Sequence, residues 1–158
     1  MTYRIDIQKA VSRTFIPSNK QLQLWATKAL HKKIKSAEIS IRIVNQKEMT
    51  ALNKTYRQKS GPTNVLSFPS DMPKKYQTVL PFLGDIVICA AIVNREATKQ
   101  QKPKKAHWAH IVIHGILHLL GFDHETKKAA AIMEPLEIRL LKVLGFANPY
   151  QQGVKERS

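Results

Sequence analysis

Residues 103–124 decide the fold, and they read Pro103-Lys-Lys-Ala-His-Trp-Ala-His-Ile-Val-Ile-His-Gly-Ile-Leu-His-Leu-Leu-Gly-Phe-Asp-His124. Pro103 can open a helix, because the N–H that proline lacks would have no partner in a first helical turn. Gly121 can end the helix, because a residue without a Cβ readily adopts the left-handed conformation that turns the chain back. The stretch therefore predicts a long helix from Pro103 to about Leu120, followed by a sharp turn.

Three histidines of this stretch have the spacing of a metal site. His114 and His118 are four residues apart, so both imidazoles lie on one helical face, and the turn can return His124 to them. This spacing around Gly121 is that of the zinc ligands in metzincin metalloproteases. Three of the six histidines in the chain fit this spacing, which argues against the alternative that they are unrelated core or surface histidines. The pattern predicts a site for one zinc ion, held by three histidines and open to water at its fourth position.

The general base of the metzincin pattern is absent here. The Glu that follows the first histidine in those proteases is replaced by Gly115. Activation of water must then rest on the metal or on a carboxylate from elsewhere. Asp85, Asp123 and Glu125 are the candidate bases, and the sequence does not choose among them.

Two further histidines lie on the predicted helix. His110 lies three residues after His107 and four residues before His114, so these histidines share part of one face. They could be extra ligands or residues that line a cleft. We favour packing residues, or residues that support the ligands, over ligands themselves.

Upstream of this helix the chain alternates strand and helix patterns. Apolar and polar residues alternate with a period of two over residues 3–7 and 39–43, which predicts two strands. Ser18 and Gln21 form a capping box at the start of the first helix, and Asn45 caps the second. The first half of the chain is therefore predicted to be β-α-β-α.

The other elements are separated by glycines and prolines. We predict a strand at residues 65–68, a loop at 70–81, a strand at 85–89, a helix to residue 100 and a final helix that ends before residue 145. Pro135 interrupts the final helix. Because an interior proline costs about 3 kcal/mol, we predict a bend or a later helix start there.

These patterns together predict one α+β domain over residues 1–150. The sheet is expected to be mixed, with about four strands packed with about five helices and the zinc site at the end of a central helix. A chain of 158 residues that is 43% hydrophobic has enough apolar side chains for a single core. Residues 151–158 are predicted to be a disordered tail.

The charge predicts a polyanionic partner. Lys and Arg number 26 against 11 Asp and Glu, which gives a formal net charge of +15. Nucleic acid and an anionic membrane both fit this charge, but no lipidation motif or basic amphipathic helix is evident. The longest apolar run, residues 86–93, is also far shorter than the roughly twenty residues that cross a bilayer. Nucleic acid is therefore favoured over a membrane.

The expected location is the cytoplasm. The amino terminus lacks the continuous apolar stretch of a secretory signal, so we expect no export. Cys89 is the only cysteine and lies in an apolar run, which predicts an inert core thiol and suits a reducing compartment.

Several blocks resemble one known family. Residues 107–124 strongly resemble the signature of the YbeY family of bacterial endoribonucleases and ribosomal RNA maturation factors. Leu52-Asn-Lys-Thr-Tyr-Arg57 and Pro62-Thr-Asn-Val-Leu-Ser-Phe-Pro69 resemble the segment around the functional arginine of that family. Further similar blocks are residues 83–88, 133–134 and 144–150. The resemblance covers about residues 52–150, and the first fifty residues agree only in pattern.

The resemblance implies an activity and roles for particular residues. It implies a zinc-dependent, single-strand-specific endoribonuclease that acts in ribosomal RNA processing, notably at the 3′ end of 16S ribosomal RNA, and in ribosome quality control. The implied partners are ribosomal RNA, the small ribosomal subunit, and a ribosomal protein or assembly GTPase. It places zinc on His114, His118 and His124 and assigns Arg57 to the RNA backbone. An arginine fork suits that role because it binds phosphate through two hydrogen bonds.

The chain also departs from the family pattern. Asn64 stands where Asp is frequent, which removes one base, and Phe122 stands where Tyr is common. The segment after His124 is less acidic than in relatives, so a protein-binding face there is expected to differ. Lysines at 74–75, 102–105 and 127–128 flank the metal helix, and we favour an RNA track over a solvated face for some of them.

Two other functions compete with RNA hydrolysis. A zinc-stabilised, non-catalytic RNA-binding assembly factor would use the metal only for its structure. A metalloprotease-like hydrolase is opposed by Gly115 and by the high positive charge.

Overall fold

Four strands form a mixed sheet in the computed structural model, which describes residues 2–71 and 80–150. The elements of these residues, in chain order, are β1 (Thr2–Lys9), α1 (Asn19–Leu30), β2 (Ser36–Val44), α2 (Gln46–Arg57), β3 (Val65–Pro69), β4 (Phe82–Cys89), α3 (Ala90–Lys99), α4 (Lys104–Leu119) and α5 (Lys127–Val143). The strand order is β1-β2-β4-β3, with β1, β2 and β4 parallel and β3 antiparallel to β4. The predicted α+β class, with about four strands and five helices, is confirmed.

Strand β4 packs against helices on both faces of the sheet. Its last four residues are apolar without alternation and all are buried, the pattern of a strand that is covered on both sides. Ile86 and Ile88 join the main core together with α1 and α4. Val87 and Cys89 join a second cluster that contains Met49 of α2. Helices α4 and α2 therefore pack on opposite faces of the sheet.

Helix α4 lies close to the sheet because it carries a glycine where it meets β4. A Cβ atom on Gly115 would lie 3.1 Å from Cγ2 of Ile86 and 3.4 Å from Cγ2 of Val65. The Ser67 hydroxyl donates a hydrogen bond of 3.0 Å to the Gly115 carbonyl oxygen. A Glu side chain at position 115 would meet the sheet, so packing excludes the base of the metzincin pattern from this position.

The turn after α4 is a Schellman motif. The Gly121 N–H donates to the His118 carbonyl oxygen, and the Phe122 N–H donates to that of Leu117, each at 3.0 Å. Gly121 has a φ of +102°, a conformation that side chains with a Cβ rarely adopt. The predicted end of the metal helix is confirmed to within one residue.

The predicted helix caps are also confirmed. The Ser18 hydroxyl accepts from the Gln21 N–H while the Gln21 side chain accepts from the Ser18 N–H, which is a complete capping box. The Asn45 side chain accepts from the Glu48 N–H at 2.8 Å at the start of α2.

Of the two outcomes predicted for Pro135, a bend or a later helix start, the later start is wrong. Helix α5 begins at Lys127 and continues through Pro135, so the proline does not delay its start. The Thr126 hydroxyl accepts from the Ala129 N–H at 3.0 Å and fixes the first turn well before the proline.

Some predictions fall on residues that the structure does not describe. Most of the loop predicted at residues 70–81 and the whole tail at 151–158 lie outside the described residues. Within residues 2–71 and 80–150, no helix has the length and apolar character needed to cross a membrane. Cys89 is buried, and burial raises the pKa of its thiol, as expected of an unreactive core cysteine.

Candidate metal centre

The three histidines of the predicted metal site converge at the end of α4. Nε2 of His118 lies 3.1 Å from Nε2 of His114 and 3.2 Å from Nδ1 of His124. One ligand atom from each of the three residues lies within 4.8 Å of the others. Two of these histidines share a helical face and the third returns from the turn, as the spacing predicts.

These distances suit a single metal ion. Two nitrogens that each lie about 2.0–2.1 Å from a tetrahedral zinc ion are about 3.3 Å apart. Burial, together with repulsion from His114 and His124, lowers the pKa of His118 to about 4. Its imidazole is therefore neutral near pH 7, which is the form that binds a metal. The three histidines form a candidate metal-binding cluster with the donor set that zinc favours.

A buried carboxylate that no sequence motif identified fixes the orientation of His114. Glu137 on α5 is fully buried, and its Oε2 lies 2.7 Å from Nδ1 of His114. Because the carboxylate accepts a hydrogen bond from the N–H at Nδ1, Nε2 keeps its lone pair free toward the other two histidines. His110, His114 and Glu137 also form a second group of candidate ligands, on the other side of the same ring.

His110 and Tyr150 complete the surroundings of Glu137. Nε2 of His110 lies 3.2 Å from Oε2 of Glu137, and the Tyr150 hydroxyl donates a hydrogen bond to Oε1. Burial alone would raise the pKa of Glu137, but hydrogen bonds from His110 and His114 outweigh it and hold that pKa at about 2. The carboxylate is therefore ionised at neutral pH, and its charge strengthens the hydrogen bond to His114.

A second carboxylate–histidine pair lies nearer the start of α4. Oε1 of Glu96 on α3 lies 2.9 Å from Nε2 of His107, and the Asn64 amide donates to both Glu96 oxygens at 3.2 and 3.3 Å. Burial would raise the pKa of Glu96, but the bonds from His107 and Asn64 lower it below its usual range. His107 and His110 thus each contact a carboxylate, and His110 also belongs to the second group of candidate ligands.

The histidines open onto a cleft of about 1090 Å³, here called the metal cleft. Its lining residues are Tyr56, Arg57, Lys59, Thr63, Asn64, Val65, Leu66, Ser67, Phe68, Glu96, Gln100, Lys102, His107, His110, Ile111, His114, His118, His124, Glu125, Glu134, Pro149 and Tyr150. The walls therefore come from the end of α2, strand β3, the helices α3, α4 and α5, and the loops beside them. The structure brings Arg57 and the three-histidine cluster to one cleft.

Asp85, the first of the three candidate bases, does not lie in this cleft. Its neighbour Ile86 faces Gly115 of α4, and side chains alternate along a strand, so Asp85 points to the opposite face of the sheet. There its carboxylate accepts a hydrogen bond of 2.7 Å from the Ser40 hydroxyl. Asp85 is therefore removed as a candidate base, because the sheet separates it from the metal helix.

The other two candidates flank His124. The Asp123 carboxylate accepts a hydrogen bond of 3.2 Å from the Glu125 N–H within the turn, and its side chain does not line the metal cleft. Glu125 is exposed and does line it. Of the three candidate bases, Glu125 alone reaches the cleft.

The predicted lysine clusters are distributed unevenly. Residues 74–75 lie outside the described part of the chain. Lys102 lines the metal cleft, and its ammonium donates a hydrogen bond of 2.7 Å to the Pro149 carbonyl oxygen. The lysines at 104–105 and 127–128 are exposed but do not line the cleft.

A specific pattern could have revealed both Glu137, which is buried, and Glu96, which is half-buried. Glu137 lies four residues from Met133 and from Leu141, which are buried, so a charge interrupts the apolar stripe of α5. Glu96 lies three residues after the buried Val93 on α3. A charged residue on an apolar helix face is seldom buried unless it is paired, so each interruption indicates a buried partner.

Comparisons with known proteins identify the fold and the family of this chain. The solution structure of TM1509 from Thermotoga maritima, described as VT1, a NESGC target protein, is similar in fold, with a TM-score of 0.58 and 24% sequence identity. The match covers 98% of this chain and 91% of that one. The family model described as Endoribonuclease YbeY matches residues 6–145, which is most of the chain. The chain therefore belongs to the YbeY endoribonuclease family.

Proposed function

We propose that this protein is a zinc-dependent, single-strand-specific endoribonuclease that matures the 3′ end of 16S ribosomal RNA and acts in ribosome quality control. Membership of the endoribonuclease family implies an RNA substrate. The observation that carries the proposal is the presence of Arg57 and three convergent histidines in one metal cleft. The metal cleft can therefore hold a metal ion and a phosphate side by side.

Each residue of the proposed site has a distinct task. His114, His118 and His124 hold zinc, which when bound polarises phosphoryl oxygens and makes water more acidic. Arg57 binds the phosphate to be cleaved and offsets the negative charge that grows on it. Glu125 is positioned to accept the proton of the attacking water, since it lies one residue from His124 and faces the cleft.

The net charge of +15 supports binding of RNA beyond the cleft. The proposed partners are ribosomal RNA and the small ribosomal subunit, with recruitment by a ribosomal protein or an assembly GTPase. We place this activity in the cytoplasm, on a single domain formed by residues 1–150.

Two alternative functions make different predictions. In a non-catalytic assembly factor the metal would be structural, so histidine variants would lose stability and RNA binding together. In a peptidase a base would follow His114, but Gly115 packs against Ile86 at that position.

The test is cleavage of a single-stranded RNA from the 3′ end of 16S ribosomal RNA by metal-stripped protein, with and without restored zinc. We expect only the zinc-restored protein to cut, and His118→Ala to be inactive. Arg57→Ala should reduce the rate by about 100-fold or more, and Arg57→Lys by less. Arg139→Ala is the matched control, since Arg139 is exposed and does not line the metal cleft.

Folded His118→Ala protein that cuts as fast as the native protein would identify the activity as a contaminant. RNA binding without cleavage would favour the assembly factor. Cleavage of a peptide with no cleavage of RNA would favour the peptidase.

A further inference from the structure

An exposed aromatic side chain stands beside Arg57 at the metal cleft. Tyr56 is 61% exposed although its ring is large and apolar. It lies in the last turn of α2 and, like Arg57, lines the cleft. A single exposed aromatic ring is ordinary on a protein surface, so what distinguishes Tyr56 is its place beside Arg57 in the metal cleft.

The position of the Tyr56 ring is set by a second aromatic residue. The ring centroids of Tyr56 and Phe68 are 5.2 Å apart, and the rings meet edge to face at 71°. Phe68 is in turn packed against the buried cluster that includes Leu66 and Val87. An edge-to-face contact covers only part of the Tyr56 ring. Phe68 is therefore anchored to the core, while the Tyr56 ring remains open to the cleft.

Other exposed apolar residues do not share this arrangement. The large apolar residues that the described part of the chain exposes are Phe15, Leu24, Tyr56, Ile132, Val143 and Tyr150. Two of them line the metal cleft, namely Tyr56 and Tyr150. The Tyr150 hydroxyl is engaged with Glu137, so that ring belongs to the support of the metal centre.

We infer that Tyr56, supported by Phe68, stacks on an unpaired base of the RNA next to the phosphate that Arg57 binds. The inference rests on the proposed endoribonuclease function and adds a base subsite to it. Unpaired bases can turn out of the strand and stack on aromatic side chains, whereas bases of a duplex are already stacked and paired. Tyr56 therefore contributes to the preference for single-stranded RNA but does not select a particular base.

The test measures equilibrium binding of short oligomers to metal-stripped protein, which holds the RNA without cutting it. One oligomer is single-stranded RNA, and the other is an abasic ribose phosphate chain of the same length. Tyr56→Ala should weaken RNA binding by about 5- to 150-fold and leave abasic binding unchanged. Tyr56→Phe should bind like the native protein, because its ring still stacks.

Two further variants separate stacking from charge and from folding. Arg57→Ala should weaken binding of both oligomers, because both carry phosphates. Phe15→Ala removes an exposed aromatic ring outside the metal cleft and should change neither affinity.

The remaining outcomes overturn the inference. If Tyr56→Ala weakens binding of both oligomers equally, or of neither, Tyr56 does not stack on a base. If the native protein cleaves RNA with restored zinc and Tyr56→Ala binds RNA normally, the subsite fails while the proposed function stands. If the native protein neither binds nor cleaves RNA, both fail.

Discussion

Three histidines of helix α4 contact carboxylates, and two of them, His107 and His114, lie about two turns apart in different surroundings. His114 is held by Glu137 of α5, whose side chain is 0% exposed. His107 is held by Glu96 of α3, whose side chain is 32% exposed. The two histidine–carboxylate distances, 2.7 and 2.9 Å, are nearly equal.

What separates the pairs is the second nitrogen of each ring. Nε2 of His114 faces the other histidines of the metal centre, whereas Nδ1 of His107 is buried without a hydrogen-bond partner among the described residues. The same carboxylate–histidine contact therefore serves two purposes. Glu137 orients His114 as a metal ligand, while Glu96 links α3 to α4 and holds Asn64 at the wall of the cleft.

The largest difference between the pairs is expected when each carboxylate is replaced by its amide. Glu137→Gln should weaken zinc binding by about 10- to 100-fold, because the amide holds His114 in its ligating tautomer less firmly. Glu96→Gln should change zinc affinity by less than about twofold, because His107 donates no ligand to the three-histidine cluster. Titration of metal-stripped protein against a competing chelator measures both affinities.

Circular dichroism spectra would show that both variants are folded before the zinc titrations are compared. Equal losses of zinc affinity in the two variants would contradict the distinction, since a general weakening of α4 would then explain both.

A smaller effect is expected from the phenol that also contacts Glu137. Tyr150→Phe removes one of the hydrogen bonds to the carboxylate but leaves His110 and His114 in place. Zinc affinity should fall by about 2- to 10-fold, less than for Glu137→Gln. A loss of zinc affinity greater than that of Glu137→Gln, measured in the same chelator titration, would show that Tyr150 does not act through its hydrogen bond to Glu137.

The local features of the fold were predictable because they depend on neighbouring residues. The capping box of Ser18 and the turn at Gly121 follow from side chains within a few positions, and so does the spacing of His114 and His118. The later helix start predicted from Pro135 was wrong because Thr126 caps a first turn that lies well before the proline.

Features that depend on distant contacts were not predictable in the same way. Asp85 remained a candidate base because the sequence alone does not tell which face of β4 meets α4. Glu137 was missed because it is brought to His114 only when α5 packs on α4. The pairing of carboxylate with histidine across two helices has no fixed spacing in the chain.

The most direct test of the metal centre is the position of the metal in a crystal of zinc-loaded protein, located from its anomalous scattering. We expect one ion on Nε2 of His114, Nε2 of His118 and Nδ1 of His124, each about 2.0–2.1 Å away. Glu137 should keep its hydrogen bond to Nδ1 of His114. An ion bound instead by His110, Glu137 and Nδ1 of His114 would contradict the three-histidine site, because the carboxylate that orients His114 would then be a ligand.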